Sequence, residues 1–340
     1  MTKHLGLLAS TSLGLLALGS AAIADPVEDF YKKTDITLVV PFAPGGSTAT
    51  QAQSAAKFFT KYLPGNPNVH PQFMPGAGGM LAVNHTYNNS PRDGSVIIYA
   101  QDSNVIEQYL NEENAKYDVR KLNWLGSVVE FEYTLGLDKD TGVTNVDDLK
   151  KKEYFIGSTG VGSASHVFPT LTNAVLGTKM KVVGGYTGGA PAIYLALERK
   201  EMQGYVTQYW HSKPVFKGLN PILTFGSERS RVFPEVITLL EHVKDPQDRK
   251  VVQFAGLIGT LGRGFATMPD VPQDRVAALR KAFEQMALDP VFISELKATG
   301  TGEEVRKEAM TGQEFNNRIT AGMDIGPDVI ARLKTILAEK

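Results

Sequence analysis

The chain has 340 residues, 35 of them basic and 36 acidic, with six histidines and no cysteine. That charge balance excludes a broad electrostatic attraction to nucleic acid or lipid headgroups. The missing thiols exclude disulfides, thiolate catalysis and a lipidated N-terminal cysteine.

The N-terminus reads as an export signal. Lys3 and His4 open it, an apolar run extends from Leu5 to about Leu18, and Ala22-Ile23-Ala24 supplies small residues ahead of Asp25. This order predicts residues 1–24 as a signal peptide cleaved after Ala24. A membrane span needs roughly 20 apolar residues, and this run is shorter and broken by Ser10, Thr11 and Ser12. The remaining length exceeds one ordinary core and implies two domains.

Ile36 to Phe42 is short, β-branched and apolar on both faces, which predicts a buried strand of a helix-covered sheet. The loop Ala43 to Thr48 leads into a helix with Ala52, Ala55, Ala56, Phe59, Tyr62 and Leu63 on one stripe, stopped by Pro64-Gly65. Val69 to Phe73 is a second strand, followed by the loop Pro75 to Gly79 and a helix from Met80 to about Tyr87. After the turn Pro91 to Gly94, Val96 to Tyr99 is a third strand, with Asp102-Ser103-Asn104 just past its carboxyl end. Strand, loop, helix, strand is the βαβ order.

A second αβ unit begins near Phe131. It contains a strand at Tyr154 to Ile156, a glycine-rich loop from Gly157 to Ser163 and a helix from Ala164 to Leu176. A strand at Met180 to Val183 leads through Tyr186-Thr187-Gly188-Gly189 into a helix from Ala190 to Arg199. Gly204 to Thr207 and Ile222 to Phe225 are further strands. The remainder is helical, with Val276, Leu279, Phe283 and Met286 on one seam and Val329, Ile330, Leu333, Ile336 and Leu337 on another.

The glycine loops fall between a strand and a helix in both halves. A helix start leaves N–H groups unpaired and carries partial positive charge, and glycine admits close backbone approach. Such loops bind anions without a basic side chain, and two facing units would suit a small carboxylate. Other uses of glycine fail at named positions. No G-x-x-x-x-G-K-[ST] occurs. Gly160-x-Gly162 begins a dinucleotide fingerprint, but Ser165 stands where the third glycine belongs. Ser158 lacks the leading glycine of a hydrolase elbow, because Ile156 stands there. With scattered histidines and no cysteine, neither a metal nor a cofactor is expected. His166 is placed to donate to a bound carboxylate or to cap a local carbonyl. Tyr209-Trp210-His211 reads as core packing or a cleft wall.

Several of these stretches together resemble the solute-binding receptors of tripartite tricarboxylate transporters, the Bug family. They are Val39 to Thr48, Pro75 to Gly79, Pro91 to Gly94, Gly157 to His166 and Tyr186 to Ala192, and the resemblance runs from about Thr34 to the C-terminus. It implies an α/β, two-lobed periplasmic-binding-protein (Venus-flytrap) fold, each lobe a mostly parallel sheet flanked by helices. Residues 25–128 and 255–340 would form lobe 1, and 129–254 lobe 2. It also implies a periplasmic, non-enzymatic monomer that captures a carboxylate for a membrane permease or a sensor protein, with no nucleic-acid partner. Carried over by position, Pro44, Gly45, Gly46, Ser47 and Thr48 would bind ligand from lobe 1, with Gly78, Asp102 and Ser103 beside them. Gly160, Gly162, Ser163, Ala164 and His166 would bind from lobe 2, with Tyr186 and Gln208.

The chain departs from the family pattern at Ala49, where many members carry aspartate, and at Thr207 or Gln208, where many carry an acid. Ala164 replaces a common serine, and Phe216 to Arg263 is longer than usual. Loss of carboxylates beside an anion site predicts a ligand without an amino group. The competing reading is an exported hydrolase or lyase, for which Ser163, Ser165 and His166 are the available groups.

Overall fold

The computed structural model describes residues 25–45, 47–186, 190–208, 214–298 and 305–338. Asp25 caps a short helix α1 (Pro26–Tyr31), its Oδ1 accepting from Val27 N. Strands β1 (Ile36–Val40), β2 (Val69–Phe73) and β3 (Val96–Ala100) alternate with α2 (Ser47–Tyr62) and α3 (Met80–Asn89), followed by α4 (Ser103–Leu110) and β4 (Asn123–Val129). A second set comprises β5 (Thr134–Asp138), β6 (Tyr154–Gly157), α5 (Ala164–Leu176), β7 (Met180–Val183), α6 (Ala190–Glu198), β8 (Gly204–Thr207) and β9 (Leu219–Thr224). Three helical pieces follow, α7 (Leu239–His242), α8 (Pro246–Ala255) and α9 (Leu257–Thr260). The chain then makes β10 (Gly264–Thr267), α10 (Gln273–Leu288), α11 (Pro290–Leu296), β11 (Val305–Thr311), α12 (Gly312–Met323) and α13 (Pro327–Ala338).

The strands form two sheets, ordered β11-β4-β10-β3-β1-β2 in lobe 1 and β7-β6-β8-β5-β9 in lobe 2. β1 pairs in parallel with β2 and β3, and β6 with β7 and β8; every other pairing between these strands is antiparallel. The expected mostly parallel sheets are therefore mixed. Only the βαβ units produce parallel neighbours. β4, β5 and β10 adjoin crossings between lobes, so they run against those units.

Both faces of the central strands are covered. Ile36, Leu38 and Val40 of β1 pack with Ala52, Ala55 and Phe59 of α2 and Leu279 and Phe283 of α10. On the opposite face Val39 and Ile98 meet Met80 and Val83 of α3. That is why these strands read as continuous apolar runs. In lobe 2, Leu135, Ile156 and Val206 pack with Val167, Phe168 and Leu171 of α5, while Tyr205 meets Ile193 and Leu197 of α6 on the other side.

Two boundaries differ from expectation for reasons in the residues. β1 ends at Val40 rather than Phe42 because Pro41 has no N–H to continue a ladder. β9 starts at Leu219 and includes Pro221, which an edge strand tolerates, and its register with β5 shifts there.

The C-terminal segment also divides. α10 to α12 pack on the six-stranded sheet, but Val329, Leu333 and Ile336 of α13 pack into the core beside the five-stranded sheet. Assigning all of 255–340 to lobe 1 is corrected on this point. The apolar seam of α13 finds its partners on α5 and α8.

The other two crossings, residues 130–133 and 256–263, lie side by side, with Phe131 N donating to Gly259 O at 2.9 Å. The buried Arg306 of β11 ties them together. It donates to Val129 O at 3.1 Å, Thr260 O at 2.6 Å and Leu261 O at 2.9 Å, and pairs with Glu130 at 2.7 Å. Arg231 of lobe 2 reaches Glu130 and Glu132, both at 2.5 Å.

Candidate ligand-binding cleft

The carboxyl ends of the parallel strands of both lobes open onto one cavity of about 470 Å³. Phe42, Ser47 and Thr48 line it after β1, and Gln101, Asp102 and Ser103 after β3. Thr159 and Val161 to Ser165 line it after β6, Ala190 and Pro191 after β7, and Gln208 after β8. Tyr133, Ile258 and Arg263 close its back from the crossing segments. The volume lies within the range that holds a small ligand.

The lobe 1 wall is built on buried polar groups. Arg263 is only 4% exposed, and its Nη1 donates to Gln51 Oε1 at 3.0 Å. Gln51, on the second turn of α2, also accepts from Tyr99 OH of β3 at 2.8 Å. The guanidinium lies over the Phe131 ring at 4.6 Å. A fixed cation thus sits close to the N-terminal turns of α2, where the helix dipole has the same sign. Gln101 also lines this wall, and its buried Nε2 has no hydrogen-bond partner among the described residues.

Asp102 also faces the cavity, but its oxygens are engaged. Oδ1 accepts from Ser103 N and Oδ2 from Gly259 N, both at 2.7 Å. It caps α4 and straps that helix to a crossing segment.

The lobe 2 wall is a loop that bonds to itself. The Ser163 hydroxyl donates to Gly160 O at 2.7 Å and lies 3.0 Å from Ser165 Oγ, which accepts from Thr159 N at 3.0 Å. Ser163 is the N-cap of α5, yet no side chain caps that helix. The first turn of α5 therefore presents backbone N–H groups beside the cavity.

The cavity brings together Ser47, Thr48, Gly78, Asp102, Ser103, Gly162, Ser163, Ala164 and Gln208 of the predicted site. Pro44, Gly45, Gly160, His166 and Tyr186 do not line it. Gly45 and Pro44 are exposed at the tip of the first loop. Tyr186 packs beside the Ile193–Leu197 cluster. His166 is half-buried, its side chain makes no hydrogen bond among the described residues, and burial lowers its pKa. It neither lines the cavity nor caps a described carbonyl. Gly46, Thr187 to Gly189 and Tyr209-Trp210-His211 lie outside the described residues, as do residues 1–24.

No family model matches the chain. It is similar to a UPF0065 protein of Bordetella pertussis, 24% identical over 299 residues that span 85% of this chain and 86% of that protein. The protein BugT of the same organism is 26% identical over 239 residues, 66% of this chain and 71% of BugT. Among solved structures, the periplasmic binding protein BugD superposes with a TM-score of 0.67 at 21% identity, covering 89% of this chain and 98% of BugD. The chain is thus similar in sequence to Bug-family proteins and shares the fold of BugD. MatC of Rhodopseudomonas palustris, solved with bound malate, shares the fold at a TM-score of 0.64 and 20% identity, covering 90% of this chain and 99% of MatC.

Two charged groups of the cleft, Arg263 and Glu107, escaped the sequence reading. Arg263 carried a signal: it is the sole charged residue between Gly256 and Met268, and a lone charge in an apolar, glycine-rich stretch is rarely at the surface by accident. Glu107 carried none, since an acid in mid-helix ordinarily faces solvent. With Glu107 and Asp102 both lining the cavity, the cleft is not free of carboxylates, contrary to what Ala49 and Thr207 implied.

Proposed function

We propose that this chain is a periplasmic solute-binding receptor of the Bug family that captures a small carboxylate between its lobes. It would deliver that ligand, unchanged, to the membrane permease of a tripartite tricarboxylate transporter. The observation that carries this reading is the convergence of Arg263, the start of α2 and the uncapped start of α5 on one cavity. A carboxylate between them gains charge-assisted hydrogen bonds from both lobes, and that gain favours the closed arrangement. The malate held by MatC, on the same fold, supports the ligand class. Export with cleavage after Ala24 and a monomeric state belong to the same proposal, and the capping of α1 by Asp25 suits a mature N-terminus there.

The absence of chemistry is likewise our reading. A serine hydrolase needs its nucleophile bonded to a base. Ser163 bonds to Gly160 and Ser165 bonds within the loop, and neither hydroxyl is hydrogen-bonded to the His166 ring among the described residues.

A thermal-shift panel of short mono-, di- and tricarboxylates on residues 25–340 tests the proposal. A ligand at about 100 times its Kd adds about 2.7 kcal/mol to the native state, and about 2–4 °C is expected for each kcal/mol in a chain of this size. A flat panel, on protein refolded to remove any carried ligand, overturns the assignment.

A further inference from the structure

The lobe 1 wall holds a charged group that capture of a simple carboxylate leaves unused. Glu107 extends from α4 into the cavity. Its carboxylate reaches lobe 2, because a Cβ on Gly162 would overlap Glu107 Oε2. Among the described residues its hydrogen bonding is confined to Asn111 Nδ2, one turn along the same helix and 3.4 Å from Oε1. Burial raises its pKa, and the only opposing influence is that weak bond from Asn111; no cation offsets the burial. Asp102 differs, since both of its oxygens already accept backbone N–H groups.

We infer that Glu107 reads the far end of the ligand, so that the cleft prefers a carboxylate whose opposite end donates through an amide or ammonium N–H over the dicarboxylate of the same length. This rests on the receptor reading above and narrows it. An acceptor held half-buried without a close donor gains most from an N–H placed against it. A second carboxylate there would set two like charges together where water screens them poorly. Arg263 and Glu107 thereby give one cavity two poles, and the ligand is oriented by which end it offers to each.

Calorimetric titration of the exported protein with glutarate and adipate, and with the monoamide of each, reads the preference directly. The wild type is expected to bind each monoamide about tenfold or more tighter than its diacid, the scale of one charge-assisted bond. Glu107→Gln keeps the size and an acceptor but loses the charge. It is expected to raise diacid affinity about tenfold while changing monoamide affinity less than about threefold. A wild type that prefers the diacids, or a Glu107→Gln protein with an unchanged diacid-to-monoamide ratio, overturns the inference. Binding of any of these acids in those cases leaves the carboxylate receptor standing. Failure of all four to bind overturns both.

Discussion

The two walls of the cleft solve the same problem with different materials. Lobe 1 presents side-chain charge, held in place by buried partners: Arg263 on Gln51 and Phe131, and Asp102 on two backbone N–H groups. Lobe 2 presents a glycine loop, hydroxyls bonded to one another and a helix start that no side chain caps. Fixed side-chain charge discriminates among ligands, because the wrong partner leaves a buried ion unsatisfied. Backbone donors accept any anion of suitable shape. The comparison assigns selectivity to lobe 1 and adaptable closure to lobe 2.

The sharpest way to break that division is to remove one donor from each wall. Arg263→Met should lower carboxylate affinity about ten- to a hundredfold, the worth of a bond to a charged group. Ser163→Ala should cost less than about threefold, because its hydroxyl already donates to Gly160 O. Calorimetry on both proteins checks this, and equal losses would erase the distinction.

A smaller effect tests where the walls meet. Gly162 has φ +85° and lies against Glu107. Gly162→Ala should lower stability by about 1–2 kcal/mol through the left-handed backbone alone, and should weaken binding because its Cβ obstructs Glu107. Adding Glu107→Ala should restore diacid affinity but not stability. Denaturation and titration of the single and double variants separate the two, and recovery of both together would deny that the backbone is strained.

The smallest effect is on pH. Glu107 ionises less readily folded than unfolded, because burial raises its pKa. Its contribution therefore favours the fold fully below the unfolded value of about 4.3 and is lost as pH rises through the folded value. Glu107→Gln should accordingly have a higher Tm than the wild type at neutral pH, with the gap closing below about pH 4. A gap that is constant with pH would place the effect in packing instead.

Much of the fold was legible because it is local. The βαβ order of lobe 1, the strands at Val69 to Phe73 and Met180 to Val183, and the helix from Ala164 to Leu176 follow from periodicity and punctuation. The antiparallel additions were not legible, since nothing in β4, β5 or β10 says which sheet they will join. The same holds for α13, whose apolar seam would serve either lobe until its neighbours are known. At the site, the glycine loops announced themselves by their place between strand and helix. Arg263 and Glu107 did not, because their role depends on distant segments: Gln51 and Phe131 for one, Gly162 for the other.

Arg306 bonds to the carbonyls of Val129, Thr260 and Leu261 and pairs with Glu130, which also pairs with Arg231. Two rods riveted at three points cannot slide past each other, though they can still bend beyond the rivets. Shear between the lobes would break several of these bonds at once, whereas rotation beyond Tyr133 breaks none of those to Arg306. The two crossings are therefore braced against sliding and left free to bend past the last bond.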